Sequence, residues 1–350
     1  MTHTDPNGPI LVLYSVDVEL SLGPDPEGVK AVLESVHAIP RALERRGVEV
    51  LTRSVTDAPS ILRVLEEVRP SGVFNLIESL LGRAMLESAA AWMLEHAGVP
   101  YTGAAAFTLG LCQRKPLAKT LLDGLGLPNA RGRAIRPGLE RGAALTLLGE
   151  LRYPCIVKPG CDDGSVGIDA SSVVSSAAAA YERARALMEK VEGDALVEEF
   201  VSGPELNVAV FGDGDDAFTL PLSMIDFKLP PGIPPIVTYA GKWFPDSPEY
   251  QGTQVICPAP IPEDVAERAR AVALAAYRAI GLREYGRIDM RLTPEHEIRI
   301  LEVNPNPDLD PQAGYARSAR HHGWDYDELI FRIVDSARTR WRRDATHQPR

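Results

Sequence analysis

The residues best placed to do chemistry lie near the carboxyl end. They are Gly286-Arg287-Ile288-Asp289-Met290-Arg291-Leu292, then Thr293-Pro294-Glu295-His296-Glu297, then Ile298-Arg299-Ile300-Leu301-Glu302-Val303-Asn304-Pro305. Two alternating runs flank a turn-rich break, which predicts an antiparallel hairpin. With Pro294 to Glu297 as the loop, Asp289 falls opposite Glu302 and Arg287 opposite Asn304, and alternation puts all four on one surface. The reverse face then carries Ile288, Met290, Leu301 and Val303, which suit a core. Two adjacent carboxylates repel unless a proton or a cation lies between them. A sparse set of hard oxygen donors suits magnesium carried in on a nucleotide's phosphates, and an arginine beside them suits a phosphate or a developing oxyanion. A solvated charged sheet face would show the same pattern, so the hairpin alone leaves both readings open.

The elements that must position this hairpin read as two kinds of lobe. Ile10 to Val16, Val48 to Leu51 and Val73 to Leu76 are short apolar strands. Helical stripes at Val29 to Arg46 and Ser60 to Val68 separate them. That alternation predicts a parallel sheet, with Asp17, Glu19, Glu78 and Ser79 at the strand ends where such sheets bind ligands. Glu87 to His96 adds a helix, and Gln113 to Leu122 another that carries Lys115 and Lys119, each of which also fits a solvated helix face. The strand ending Ile156-Val157-Lys158-Pro159 runs into Gly160-Cys161-Asp162-Asp163-Gly164-Ser165-Val166-Gly167, where glycines let backbone N–H groups approach an anion. This is neither of the standard nucleotide fingerprints; the lysine immediately before it is what points to phosphate. Ser175 or Ser176 caps a helix to about Lys190. The strands Ala195 to Val201 and Glu205 to Phe211 are expected to pair around Ser202-Gly203-Pro204. Leu229 to Tyr250 reads as a long irregular loop, Pro262 opens an amphipathic helix, Trp324 to Ser336 is a last helix, and Arg338 to Arg350 a disordered basic tail.

The totals fit a soluble protein of two or three lobes. With 350 residues, 45% hydrophobic, and a net charge of -11, the chain is not expected to bind nucleic acid or anionic membrane. No apolar run reaches the roughly 18 residues of a membrane span, and Met1 to Pro9 is polar, so a cytoplasmic location is expected. Four cysteines, Cys112, Cys155, Cys161 and Cys257, lack paired spacing and read as reduced thiols.

Assembled in order, these segments resemble the ATP-grasp enzymes, and within them the D-alanine:D-alanine ligase family, from about Phe74 to Val334. The likeness is carried by Gly98-Val99-Pro100-Tyr101-Thr102-Gly103, Lys115 through Gly126-Leu127-Pro128, Ile156-Val157-Lys158-Pro159, Ser202-Gly203-Pro204-Glu205, Gly286-Arg287-Ile288-Asp289 and Leu301-Glu302-Val303-Asn304. The resemblance implies a parallel-sheet lobe over residues 1–112, a central α+β subdomain over 113–192 and a carboxyl-terminal one over 193–337, the last two clasping ATP, with 338–350 as the tail. It implies Lys115 and Lys158 on ATP phosphates, backbone groups of Glu198 to Val201, including Glu199, at adenine, and Glu205 on the ribose. Leu301 belongs to the nucleotide pocket, Ser165 to the loop over the phosphates, and Lys242 reaches the γ-phosphate. Asp289, Glu302 and Asn304 hold two magnesium ions, manganese being the alternative, and Arg287 steadies an acyl phosphate and a tetrahedral intermediate. The implied activity joins an amino-acid carboxylate to an amine through an acyl phosphate, with small amino acids or peptides as substrates and a homodimer as the assembly. The alternatives are a true D-alanine:D-alanine ligase of peptidoglycan synthesis and a non-catalytic, regulatory ATP-binding protein of the same fold.

The chain departs from the family where the family recognises D-alanine. It reads Val16-Asp17-Val18-Glu19-Leu20-Ser21-Leu22-Gly23 after the first strand, Glu78-Ser79 for a His-Gly pair, and Pro305-Asn306-Pro307-Asp308-Leu309-Asp310-Pro311 for a stretch of small residues. Glu19 would replace the family's amine-binding glutamate, and Glu78, Asp308 and Asp310 would form an acidic acceptor side, which implies an amine-rich or larger amino-acid acceptor.

Overall fold

A computed structural model describes residues 4–17, 26–161, 164–191 and 193–347, giving at 26–31 and 345–347 the backbone path alone. The amino-terminal lobe is β1 (Ile10–Ser15), α1 (Pro26–Arg45), β2 (Val50–Val55), α2 (Ala58–Val68) and β3 (Gly72–Asn75), followed by α3 (Glu87–His96) and α4 (Ala106–Cys112). The three strands form a parallel sheet in the order β2-β1-β3. β1 is apolar on both faces because α1 packs against one and α2 with α3 against the other. Asp57 caps α2 by accepting from the Ser60 amide, and Pro59 sits in its first turn.

The central layer holds α5 (Lys115–Gly124), β4 (Gly132–Ile135), α6 (Arg141–Leu148), β5 (Cys155–Pro159), β6 (Val173–Val174), α7 (Ala177–Met188) and β7 (Ala195–Glu199). Its antiparallel sheet runs β4-β7-β5-β6, and α6 and α7 bury Leu148, Ala184 and Leu187 against Val157 and Val197. The carboxyl-terminal layer holds β8 (Glu205–Phe211), β9 (Phe218–Thr219), β10 (Ser223–Ile225), α8 (Tyr239–Trp243), α9 (Pro248–Gln251), β11 (Val255–Ile256), α10 (Glu263–Ile280), β12 (Tyr285–Leu292), β13 (Ile298–Asn304), α11 (Gly314–His322) and α12 (Tyr326–His347). Its sheet runs β11-β10-β8-β12-β13, with β9 on β8, and α10 covers Val208, Ile288, Met290 and Ile300.

Three expectations are corrected. β7 and β8 do not pair: β7 completes the central sheet and β8 lies antiparallel to β12. The turn between them is held by the end of β12, where Arg291 donates to the Gly203 carbonyl and the Leu292 amide to that of Pro204. Gly203 has φ +108°, and a Cβ there would meet the Leu292 oxygen. Residues 200–204 thus lead from the central sheet to the carboxyl-terminal one. Residues 229–250 are not wholly irregular, since Thr238 and Ser247 cap α8 and α9. Finally, 338–347 is helical. Arg340 is buried, its Nε donating to Glu284 and Nη2 to the Tyr101 carbonyl, while Trp341 packs on Gly72. A basic composition read as solvated had in fact one arginine with a buried carboxylate waiting for it.

The hairpin register agrees with the alternation, Arg287 facing Asn304 and Asp289 facing Glu302, but a bulge follows, so that Met290 faces Ile300. Leu301 is the extra residue. Ile300 enters the core in its place and Leu301 turns to the cleft, which corrects its placement on the reverse face.

Candidate active site

A cavity of about 870 Å³ opens between the lobes, within the usual range for small-molecule sites. Among the residues singled out by sequence, Lys115, Lys158, Ser165, Glu198, Glu199, Val201, Glu205, Lys242, Arg287, Asp289, Leu301, Glu302, Asn304, Glu78, Asp308 and Asp310 all line it. Glu19 lies outside the described residues.

One wall is the hairpin. Arg287 grips Asp289 with two parallel bonds, Nε to Oδ1 at 2.7 Å and Nη2 to Oδ2 at 2.8 Å, and Asn207 on β8 donates to Oδ1 at 2.8 Å. Glu302 pairs with Lys115 at 3.1 Å. Burial works against the Arg287 charge, but Asp289, Glu302 and Glu205 overcome it and raise its pKa above the ordinary value. Two carboxylates and the Asn304 carboxamide make an all-oxygen donor set. Among the described residues no group of three or more His, Cys, Asp or Glu gathers as a self-contained metal cage. This composition fits magnesium, which keeps several waters and takes one or two carboxylates plus phosphate oxygens.

The facing wall is cationic and buried. Lys158 and Lys119 both pair with Glu198, at 2.6 and 2.5 Å, and Glu198 is 1% exposed. Although burial would raise the Glu198 pKa, the two ammonium groups hold it below the ordinary carboxylate value. Beside them Glu199, which also lines the cavity, turns its carboxylate to Arg152. Glu205 pairs with Arg291 at 3.4 Å, and its pKa is raised by burial.

The roof combines the glycine loop and the 229–250 segment. Ser165 takes a left-handed φ of +63° between Gly164 at +68° and Gly167 at +68°, a conformation that costs a residue with a Cβ about 1 kcal/mol and marks a constrained turn. The Trp243 indole donates to the Gly164 carbonyl at 3.2 Å and the Tyr239 amide to that of Ile168 at 3.0 Å, tying α8 to the loop. Lys242 is exposed, with its ammonium 4.5 Å from the Trp243 ring centroid.

The remaining end is acidic. Asp308 accepts from the Asp310 amide and Asp310 from the Gln312 amide, while burial raises the Asp308 pKa. Glu87 at the start of α3 accepts from Gln113 at 2.8 Å and from Asn306 at 3.0 Å, and the Asn306 amide in turn donates to Asn304 Oδ1. Asp17, buried at the end of β1, accepts from Ser79 and Gly82.

Sequence reading missed Lys119, Asn207, Arg291 and the Glu87-Gln113-Asn306 group. Lys119 had a signal, the four-residue spacing from Lys115 that places both on one helix face. Asn207 had another, its alternation with Glu205. The Glu87 group joins residues far apart in sequence and had none.

A parallel-sheet lobe and two α+β subdomains closing on a cleft with cationic and acidic walls define an ATP-grasp enzyme. The fold overlays on the crystal structure of D-alanine–D-alanine ligase from Bacillus anthracis complexed with ATP, with TM-score 0.75, 19% identity, and coverage of 96% of this chain and 99% of that one. In sequence, residues 121–335 match the family model described as D-ala D-ala ligase C-terminus. The D-alanine–D-alanine ligase of Ralstonia pickettii is 30% identical over 279 residues, 79% of this chain and 78% of the relative. The uncharacterized protein y4sG of Sinorhizobium fredii is 34% identical over 274 residues, 78% and 76% of the two chains. The chain belongs to the D-alanine–D-alanine ligase family, whose members are ATP-dependent, ADP-forming carbon–nitrogen ligases acting on small amino-acid substrates. No helix among the described residues is long and apolar enough to cross a membrane.

Proposed function

We propose that this cleft joins the carboxylate of one amino acid to the amine of a second, larger or cationic, amino acid or peptide. Phosphates of ATP lie against Lys115 and Lys158, the backbone of 198–201 meets adenine, Glu205 meets the ribose, Leu301 packs on the nucleotide, and Ser165 with the glycine loop and Lys242 cover the γ-phosphate. Asp289, Glu302 and Asn304 hold magnesium, two ions in this reading, with manganese as the substitute. When bound, the ions offset charge on the phosphate oxygens as the γ-phosphoryl group moves.

The donor carboxylate attacks the γ-phosphorus and ADP leaves, giving an acyl phosphate. The acceptor amine attacks the acyl carbon, loses a proton, and the tetrahedral intermediate collapses with release of phosphate. Arg287 stabilises the oxygen charge at both stages, and the closed roof excludes water from the acyl phosphate. Positioning and charge suffice, so no nucleophilic side chain is needed.

The observation that carries this reading is the placement of Arg287, Asp289, Glu302 and Asn304 on one cleft wall facing Lys158. The acceptor class rests on Glu78, Asp308 and Asp310 at the far end. The test is ADP release with ATP, magnesium and paired amino acids, the products read by mass spectrometry. A cationic or large acceptor is expected to outpace D-alanine; fastest turnover with D-alanine alone would return the protein to D-alanyl-D-alanine synthesis. The homodimer of the family is tested by light scattering.

A further inference from the structure

Lys119 follows Lys115 by one helical turn, yet it is absent from the residues that line the cavity. Its ammonium lies behind Glu198, 2.5 Å from one carboxylate oxygen and 3.4 Å from each of the Ala130 and Ile300 carbonyls. The ammonium is thus hydrogen-bonded to the two carbonyls and ion-paired with the carboxylate. Lys158 approaches the other Glu198 oxygen at 2.6 Å but does so from the cavity side. The triad therefore holds two positive charges and one negative, and the unbalanced charge faces the ligand. If Lys119 were absent, Lys158 and Glu198 would form a neutral pair, and the wall would present no net charge from them to an anion.

We propose that Lys119 is a positioning residue for the nucleotide: by neutralising Glu198 from behind, it leaves the charge of Lys158 to the ATP phosphates. It also ties α5 to β7 of the central sheet and, through the Ile300 carbonyl, to β13 of the carboxyl-terminal sheet, so the same contacts fix how the two walls face each other. This rests on the reading of the cavity as the nucleotide site.

The test compares the intact protein with Lys119→Met and with Lys119→Met/Glu198→Gln. MgATP affinity is measured by calorimetry, KM and kcat by ADP release, and folding by thermal melts. Lys119→Met is expected to weaken MgATP binding about 10- to 100-fold, the effect of one lost charged hydrogen bond, and to raise KM for ATP more than it lowers kcat. The double variant is expected to regain most of that affinity, because the amide no longer claims the Lys158 charge. Wild-type affinity in Lys119→Met overturns the proposal. So does a double variant as weak as the single one, since Lys119 would then act on the phosphates directly or through packing alone. Should the single variant not fold, the double variant decides: near wild-type affinity supports the proposal and weak binding refutes it. Failure of the wild-type protein to bind MgATP would instead remove the nucleotide reading itself.

Discussion

The two ends of the cleft treat charge differently. At the hairpin and the lysine wall, every acid has a basic partner and the groups are wholly or partly buried: Asp289 with Arg287, Glu302 with Lys115, Glu198 with two lysines. These groups sit on strands or on a helix locked into both sheets. At the acidic end Glu78, Asp308 and Asp310 stand on connections after β3 and β13, and the latter two are shaped by local side-chain-to-backbone bonds. A buried charge on a strand cannot move without breaking its partner's compensation, whereas a loop carboxylate can be exchanged at little cost. In the proposed reading, phosphate chemistry is accordingly built into the framework, and acceptor choice is left to the loops.

Breaking the matched end should do the most damage. Asp289→Asn is expected to lower kcat for ADP release about 10³-fold while the melt stays near wild type; an unchanged rate would remove the metal role. The rule about buried pairs can be tried away from the cleft, where Arg340→Met strands the fully buried Glu284. A loss of about 3 kcal/mol in denaturant unfolding is expected, and a loss below about 1 kcal/mol would mean that the helix is held by packing alone.

Effects at the acidic end should be smaller and selective. Asp308→Asn is expected to lower kcat/KM for a cationic acceptor about tenfold and leave a neutral one nearly unchanged. Since burial raises the Asp308 pKa, its carboxylate is protonated at higher pH than an ordinary aspartate. Activity with the cationic acceptor should therefore fall on the acid side first, a limb that Asp308→Asn lacks. A flat comparison between acceptors would erase the distinction between the two ends. The smallest change is expected at the roof, where Trp243→Phe removes the bond to the Gly164 carbonyl. A rise in KM for ATP of about fivefold corresponds to one neutral hydrogen bond near 1 kcal/mol.

Much of this was legible because its signals are local. Alternation in 286–304 put Arg287, Asp289, Glu302 and Asn304 together, and the strand-borne Lys158 before three glycines marked the loop. The bulge at Leu301 was not legible, because an extra residue leaves the polarity pattern almost intact. Nor was the separation of β7 from β8, since a three-residue turn normally closes a hairpin, whereas here β7 pairs with β4 and β5, β8 with β10 and β12, and the turn at Gly203 packs on β12. The tail was misread because composition counts charges without their partners.

By itself, then, the sequence determined the periodic elements, the run of motifs and the chemistry available at each, because these depend on residues within one turn or one strand of each other. Tertiary structure alone decided which charges are compensated: that Lys119 stands behind Glu198, that Asn207 supports Asp289 and that Arg340 reaches Glu284. The physical reason is that a charge's state depends on what lies within a few ångströms in space, and those neighbours come from segments 79, 82 and 56 residues away in the chain.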